Sequence, residues 1–194
     1  MESTVKMKDN IRKWIERDGE KFLEGVGVKE GQTLLDFGPG EGQHTIPASK
    51  VVGANAKVYA VDKDKNVLNN LKMELEERKI VNVELIKEET RIPLGEDTVD
   101  VVLCYDVIHL VGKNESSTVK DRMKLYQTIK RIARENALIS VYPTHLVTHT
   151  DVTSNQEIKK EIEKAGFNFE RIIYTELIHD DNKVKGYILN FRKR

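Results

Sequence analysis

The chain has one cysteine, Cys104, so it can close no internal disulfide and build no cysteine-rich zinc site. Cys104 sits in the apolar run Val101-Val102-Leu103-Cys104, where a thiol reads as a small buried hydrophobe. Neither sign of charge is in excess: Lys plus Arg number 32, as do Asp plus Glu. A large nucleic-acid footprint usually shows as a basic surplus, so a nucleic-acid partner is not expected, although net charge leaves a local patch open. The short tail Arg192-Lys193-Arg194 reads as a solvated terminus. No apolar run approaches the roughly 18 residues that span a bilayer, and the polar stretch Met1 to Lys13 holds no secretory h-region. These absences give the expectation of a cytoplasmic protein with no membrane partner. Pro-rich linkers, low-complexity tracts and internal repeats are also missing. The 194 residues therefore read as one core unit, 31–194, with a helical segment, 1–30, packed on it.

What is present is alternation. Met7, Ile11, Trp14, Ile15 and Phe22 recur at helical spacing, with Asp18 alone breaking the stripe. Gly25, Gly27 and Gly31 then mark a loop. Strand-like runs follow at Thr33–Phe37, Val58–Val61, Val83–Ile86, Asp100–Tyr105 and Ala137–Tyr142. A helix-like segment runs from His44 to Val52, and another from Asn66 to Lys79, with Asp64 or Asn66 as its cap. After the polar stretch Lys113–Lys120, Met123, Leu125, Ile129 and Ile132 mark a further helix. Ser154 and Glu157 form a capping box for a helix carrying Ile158, Ile162 and Ala165, which Gly166 stops. Two last runs, Phe169–Leu177 and Tyr187–Arg192, are joined by the turn-rich His179–Lys183 and read as a hairpin. The expected order is a helix, five alternating βα units and an antiparallel pair. That is a doubly wound α/β fold whose mostly parallel, seven-stranded sheet ends in a C-terminal antiparallel hairpin.

The most specific feature is Leu34-Leu35-Asp36-Phe37-Gly38-Pro39-Gly40-Glu41-Gly42, an apolar strand that ends in a carboxylate and breaks into a glycine turn. Open α/β sheets bind ligands in the crevice beyond such strand ends. The dinucleotide fingerprint needs its third glycine at position 43, where Gln43 stands. The pattern here is Asp36-x-Gly38-x-Gly40-x-Gly42. Asp36 and Glu41 beside that turn would serve a pyrophosphate poorly and a free ammonium group well.

Residues 31–63 resemble motifs I and II of class I S-adenosylmethionine-dependent methyltransferases, and the likeness extends through 82–103 and, more weakly, 153–191. The resemblance implies a Rossmann-like fold of seven strands, the last antiparallel, and S-adenosylmethionine as cofactor. It implies that Asp36 holds the methionyl ammonium, often through water. Gly38, Gly40 and Gly42 form the turn, where the first two let the backbone approach the cofactor. Asp62 would accept two hydrogen bonds from the ribose diol, and Lys63 would pack on the adenine edge. An acidic residue after the third strand would accept from the adenine amino group. Glu89 aligns best, with Glu88 as the alternative. Tyr105 or Asp106 would contact the methionyl part through the backbone.

The acceptor is less legible. A sulfonium is an activated methyl donor, so the enzyme mainly aligns the nucleophile, and a base is needed only where the acceptor must lose a proton. The fourth strand ends Cys104-Tyr105-Asp106-Val107-Ile108-His109, without the Asn-Pro-Pro-Tyr type motif of many nucleic-acid amino methyltransferases. The Lys-Pro-Gly-Gly turn of many small-molecule enzymes is also missing, and the chain has Arg131-Ile132-Ala133-Arg134-Glu135-Asn136-Ala137 there. Asn136 can supply a left-handed turn residue in its place. His109 and His145 are the candidate bases, though a histidine at a loop rim is ordinarily only solvated. No metal ligand set is read from the spacing. The expectation is transfer to a small-molecule acceptor. The alternatives are a protein or RNA acceptor, or a non-catalytic cofactor-binding protein of the same fold. The helix around Trp14 and the loop 111–122 are candidates for a lid.

Overall fold

The computed structural model describes residues 10–112, 117–146 and 154–194. Met7, most of the proposed lid loop's tip at 113–116, and 147–153 lie outside them. A π-helical stretch, Trp14–Asp18, runs into helix α1, Gly19–Val26. Then follow β1 (Leu34–Phe37), α2 (Thr45–Val51), β2 (Val58–Asp62), α3 (Lys65–Glu77) and β3 (Val83–Lys87). The rest comprises β4 (Val99–Tyr105), α4 (Val119–Ile132), β5 (Ala133–Tyr142), α5 (Asn155–Lys164), β6 (Phe167–His179) and β7 (Asn182–Lys193). The seven strands form one sheet in the order β3-β2-β1-β4-β5-β7-β6. β1 to β5 run parallel, and β7 pairs antiparallel with both β5 and β6. The order reverses beside β1, which puts a topological switch point, and so a ligand crevice, at the carboxyl ends of β1 and β4.

Strand alternation explains the two cores. Leu35, Phe37, Val102, Cys104, Ile139 and Val141 face Leu125, Ile129 and Ile132 of α4 and Ile158 and Ile162 of α5. Leu34, Val58, Ala60, Val101, Leu103 and Leu138 face Trp14, Phe22, Leu23, Ile46 and Leu71 on the other side. Both faces of the central strands are thus covered by apolar side chains, as expected of a parallel sheet. Trp14 is 2% exposed and its Nε1–H donates to the Gln43 carbonyl at 2.8 Å. Asp18 breaks the apolar stripe because it meets Lys183 Nζ of β7 at 2.7 Å. Of the two proposed caps, Asp64 caps α3, accepting from the Asn66 amide at 2.7 Å. Ser154 caps α5, its side chain accepting from the Glu157 amide. The buried Cys104 thiol is pushed well up by desolvation.

Three expectations need correction. One of the five βα units lacks its helix: residues 88–98 are irregular between β3 and β4. Side chains of α4 hold that segment instead, with Arg131 donating to the Ile92 and Leu94 carbonyls and Thr128 to Thr90. β5 begins at Ala133, not Ala137, and absorbs the left-handed Asn136, φ 62°, beside a register shift at Val99/Val101. The final strands are longer than their apolar runs. They meet across a two-residue turn, Asp180-Asp181, with φ of 45° and 62°, the left-handed pair that a tight hairpin wants. Among the described residues no helix is long and apolar enough to cross a membrane.

Candidate active site

Asp36 is 2% exposed and faces α2, where Thr45 Oγ1 donates to its Oδ2 at 2.6 Å. Burial pushes its carboxyl up to about 6, against the pull of the Thr45 hydrogen bond and with a further push from the Asp62 charge. The residue thus lies one layer beneath the glycine turn and lines neither cavity above it. Gly38 takes a φ of 75°, and a Cβ there would come within 2.3 Å of Val107 Cγ2. Gly42 also lines neither cavity; a Cβ there would meet Leu71 Cδ1 at 2.6 Å. In this fold Gly42 lets α3 pack against the turn.

Asp62, Lys63 and Glu89 come together, with Phe37, Gly38, Val61, Val107, Leu110 and Val111, around one narrow cavity of about 60 Å³. Asp62 Oδ1 accepts from the Asp64 amide at 2.8 Å, and burial raises its pKa. Glu88 is exposed, whereas Glu89 is partly buried and turned into the cavity. Lys63 Nζ donates to Glu89 Oε1 at 3.1 Å and to the Leu110 carbonyl at 2.7 Å. Glu89 Oε1 also accepts from the Gly112 amide at 2.9 Å. These bonds hold 110–112 against the cavity mouth.

A second, wider cleft of about 320 Å³ opens on the other side of Gly38 and Gly40. Tyr105 and Asp106 at the end of β4, Tyr142 of β5, and Ile178 to Asp181 at the hairpin tip complete its wall. Tyr105 turns its hydroxyl away from solvent onto Ser140 Oγ at 2.8 Å. Ser140 Oγ donates to Asn190 Oδ1 at 2.9 Å, so the tyrosine hydroxyl is the donor in this chain. Burial raises the phenol far above its ordinary pKa, which leaves it unsuited to act as a base. His44 packs against the Tyr105 ring at 4.8 Å between centroids. Its Nε2 is enclosed with no hydrogen-bond partner, and burial pulls its pKa down to about 3.

The two candidate bases converge. His145 Nδ1 lies 2.7 Å from Asp106 Oδ1, and His109 Nδ1 lies 3.7 Å from the same oxygen. A third histidine, His179, places Nε2 at 2.8 Å from Asp106 Oδ2. Asp106 itself sits at φ 53°, a strained conformation that Asp tolerates better than most residues.

Sequence reasoning missed two parts of this site. His179 read as a turn residue, yet it ends β6 and points into the cleft. Gln43 counted only as a missing glycine, yet its Nε2 donates to Asp181 Oδ1 at 2.9 Å and ties the hairpin tip to the glycine turn. No spacing pattern links residues 43 and 181, so only the fold could reveal the pair.

Comparisons with known proteins identify the family and the fold. The family model described as a methyltransferase domain matches residues 28–188. A crystal structure of a SAM-dependent methyltransferase from Aquifex aeolicus is 27% identical and superposes with a TM-score of 0.75, covering 98% of this chain and 97% of that one. The demethylmenaquinone methyltransferase of Geobacillus sp. (strain WCH70) is 30% identical over 126 residues, 64% of this chain and 52% of that protein. A probable ribosomal RNA small subunit methyltransferase A of Methanosphaera stadtmanae is 33% identical over 68 residues, 35% of this chain and 24% of that protein. The chain thus spans about half or less of the length of these curated relatives. The domain match over 28–188 and the shared seven-stranded fold place the chain in the class I S-adenosylmethionine-dependent methyltransferase family.

Proposed function

We propose that this protein transfers a methyl group from S-adenosylmethionine to a small-molecule acceptor held in the wider cleft. The observation that carries this reading is the cleft itself. At about 320 Å³ it falls within the range of small-molecule sites, about 300–1,000 Å³. It lies directly beyond the glycine turn, walled by the ends of β4 and β5 and the hairpin tip. A balanced charge count of 32 against 32 also supports it over an RNA acceptor. The small-molecule relative from Geobacillus aligns over 126 residues, the RNA relative over only 68.

In this reading Asp36 stabilises the methionyl ammonium from beneath the turn. Gly38 and Gly40 admit the cofactor's backbone contacts, Asp62 receives the ribose diol and Glu89 the adenine amino group. The narrow cavity of about 60 Å³ is too small for an adenosyl group by the same yardstick. Cofactor entry therefore requires Lys63 to release Glu89 and the Leu110 carbonyl, letting 110–112 swing outward. Hydrogen exchange with and without cofactor tests this. Altered protection at 108–112 is expected, and identical exchange would count against it.

The acceptor test is a methyl-transfer screen with labelled cofactor against small phenols, quinols, amines and carboxylates, bulk RNA and bulk protein. Label is expected in a small molecule. Label found only in RNA or protein would replace this reading, and cofactor binding without label in any fraction would favour a non-catalytic role.

A further inference from the structure

We infer that Asp106, His109 and His145 form a binding site for a divalent transition-metal ion of the zinc type, with His179 bracing the carboxylate. One ligand atom from each of the three residues lies within 4.8 Å of the other two. Ligands at about 2.0–2.1 Å on a tetrahedral ion stand about 3.3 Å apart. The two histidine Nδ1 atoms lie 2.7 and 3.7 Å from Asp106 Oδ1, on either side of that spacing. Side chains need only small rotations to enclose an ion.

Two further observations favour an ion over a plain hydrogen-bonded cluster. Asp106 Oδ1 is shielded from solvent and accepts no hydrogen bond, although His145 Nδ1 is 2.7 Å away. His179 Nε2 is likewise enclosed and makes no aligned hydrogen bond, although Asp106 Oδ2 is 2.8 Å away. Neither of these short contacts is an aligned hydrogen bond. An enclosed carboxylate oxygen left in this state carries a real cost, which an ion ligated by Asp106 Oδ1 would remove. The strained φ of Asp106, 53°, is consistent with a carboxylate held in place for a purpose.

The donor chemistry sets the class of ion. Two imidazoles and one carboxylate suit zinc or ferrous iron and leave coordination positions open. Magnesium and calcium prefer oxygen donors throughout. His179, against the second carboxylate oxygen, corresponds to the outer partner that orients a metal-binding carboxylate. Asp106 and His179 also line the cleft shared with Gly38 and Tyr105. An ion here would stand at the acceptor end and polarise an acceptor oxygen bound to it. That last role rests on the methyl-transfer reading; metal binding does not.

The test is calorimetric titration of the chelator-stripped full chain with Zn²⁺, with Co²⁺ absorbance as a second readout. One equivalent should bind, and cobalt should give the visible bands of a nitrogen and oxygen donor set. Asp106→Asn keeps a residue that tolerates the left-handed backbone, and together with His109→Ala and His145→Ala it should weaken zinc at least tenfold. His179→Ala should weaken it about ten- to a hundredfold, as loss of an outer partner does. Asp180→Ala, which removes a member of the second grouping, His145 with His179 and Asp180, should leave the affinity unchanged. His145 is partly exposed, so its alanine variant leaves no core cavity and still reports if the Asp106 variant misfolds. S-adenosylmethionine binding, measured in parallel, separates failure of the metal site from failure of the methyltransferase reading. Absence of stoichiometric zinc binding, equal affinity in all variants, or loss only in Asp180→Ala would overturn the assignment.

Discussion

At the proposed cofactor end, Asp36, Gly38 and Gly40 come from β1 and the turn that ends it, and Asp62 and Glu89 from or just after the next two strands of the sheet. At the proposed acceptor end, Asp106, His109, His145 and His179 come from or just beyond the ends of β4, β5 and β6, the last standing 73 positions after the first. The first group is bound to a backbone shape, because a left-handed turn beside Val107 admits only glycine. The second depends on where side chains meet once the sheet has closed. Backbone demands write themselves into contiguous sequence, and side-chain convergence does not. The two ends still touch. Gly38 packs on Val107, the neighbour of Asp106, and Gln43 holds Asp181, two residues after His179.

The largest effect should come from Gly38→Ala. Its Cβ would press on Val107 at 2.3 Å in a backbone region that alanine avoids. Overpacking and strain together should cost about 2–5 kcal/mol in denaturant unfolding. Zinc affinity should fall as well, since Val107 displaces Asp106. Gly40→Ala, with nothing within 4 Å of its Cβ, should cost only about 1–2 kcal/mol from strain and leave zinc binding intact. Equal losses in both variants would sink the claim that the ends are coupled through Val107.

Next comes Asp36→Asn. Cofactor affinity should drop at least tenfold while the fold is kept or strengthened, because a carboxyl raised from 3.8 to about 6 is a burden when ionised. Between those values the native state binds more protons than the unfolded one. This group's contribution to stability therefore falls as pH rises through the window, and the cost is full above about 6. Cofactor binding should run the other way. If the ammonium needs the ionised carboxylate, affinity falls up to about tenfold per pH unit below about 6 and levels off above. Calorimetry across that range checks both slopes, and a flat wild-type profile would remove Asp36 from the ammonium site.

A smaller effect is expected at His44, whose pKa is pulled from 6.5 to about 3 by burial. The unfolded state takes up a proton that the native one refuses, so native stability falls as pH drops below 6.5. His44→Phe should remove that slope, gaining on the wild type by up to about 1.4 kcal/mol per pH unit under acid. The smallest effect belongs to Gln43→Ala. Losing its bond to Asp181 should cost about 1 kcal/mol and speed amide exchange at 178–182 while leaving 34–37 unchanged.

Much of the fold was legible because its determinants are local. The apolar runs of β1, β2 and β4 are close to the observed strands, and Asp64 and Ser154 cap the helices that follow them. The errors lie where long-range pairing overrides pattern. Asn182 to Gly186 carries little apolar alternation and becomes a strand only because β6 supplies the partners. Ala133 likewise joins β5 through Val99, and the helix missing between β3 and β4 is replaced by clamps from Arg131 and Thr128. Within the site, His109 and His145 were visible as isolated residues. Their meeting on Asp106 required β4 and β5 to pair, and the arrival of His179 required the hairpin to be in place.

That hairpin has a consequence for how the protein comes into being. β7 lies between β5 and β6, so β6, with His179 at its end, joins the sheet only through a strand made after it. A chain emerging from the ribosome could pair β1 to β5 and enclose the glycine turn while the cleft still lacked one wall. On the proposed reading, the cofactor end would then be formed before the acceptor end, which waits for β6 and β7 to pair.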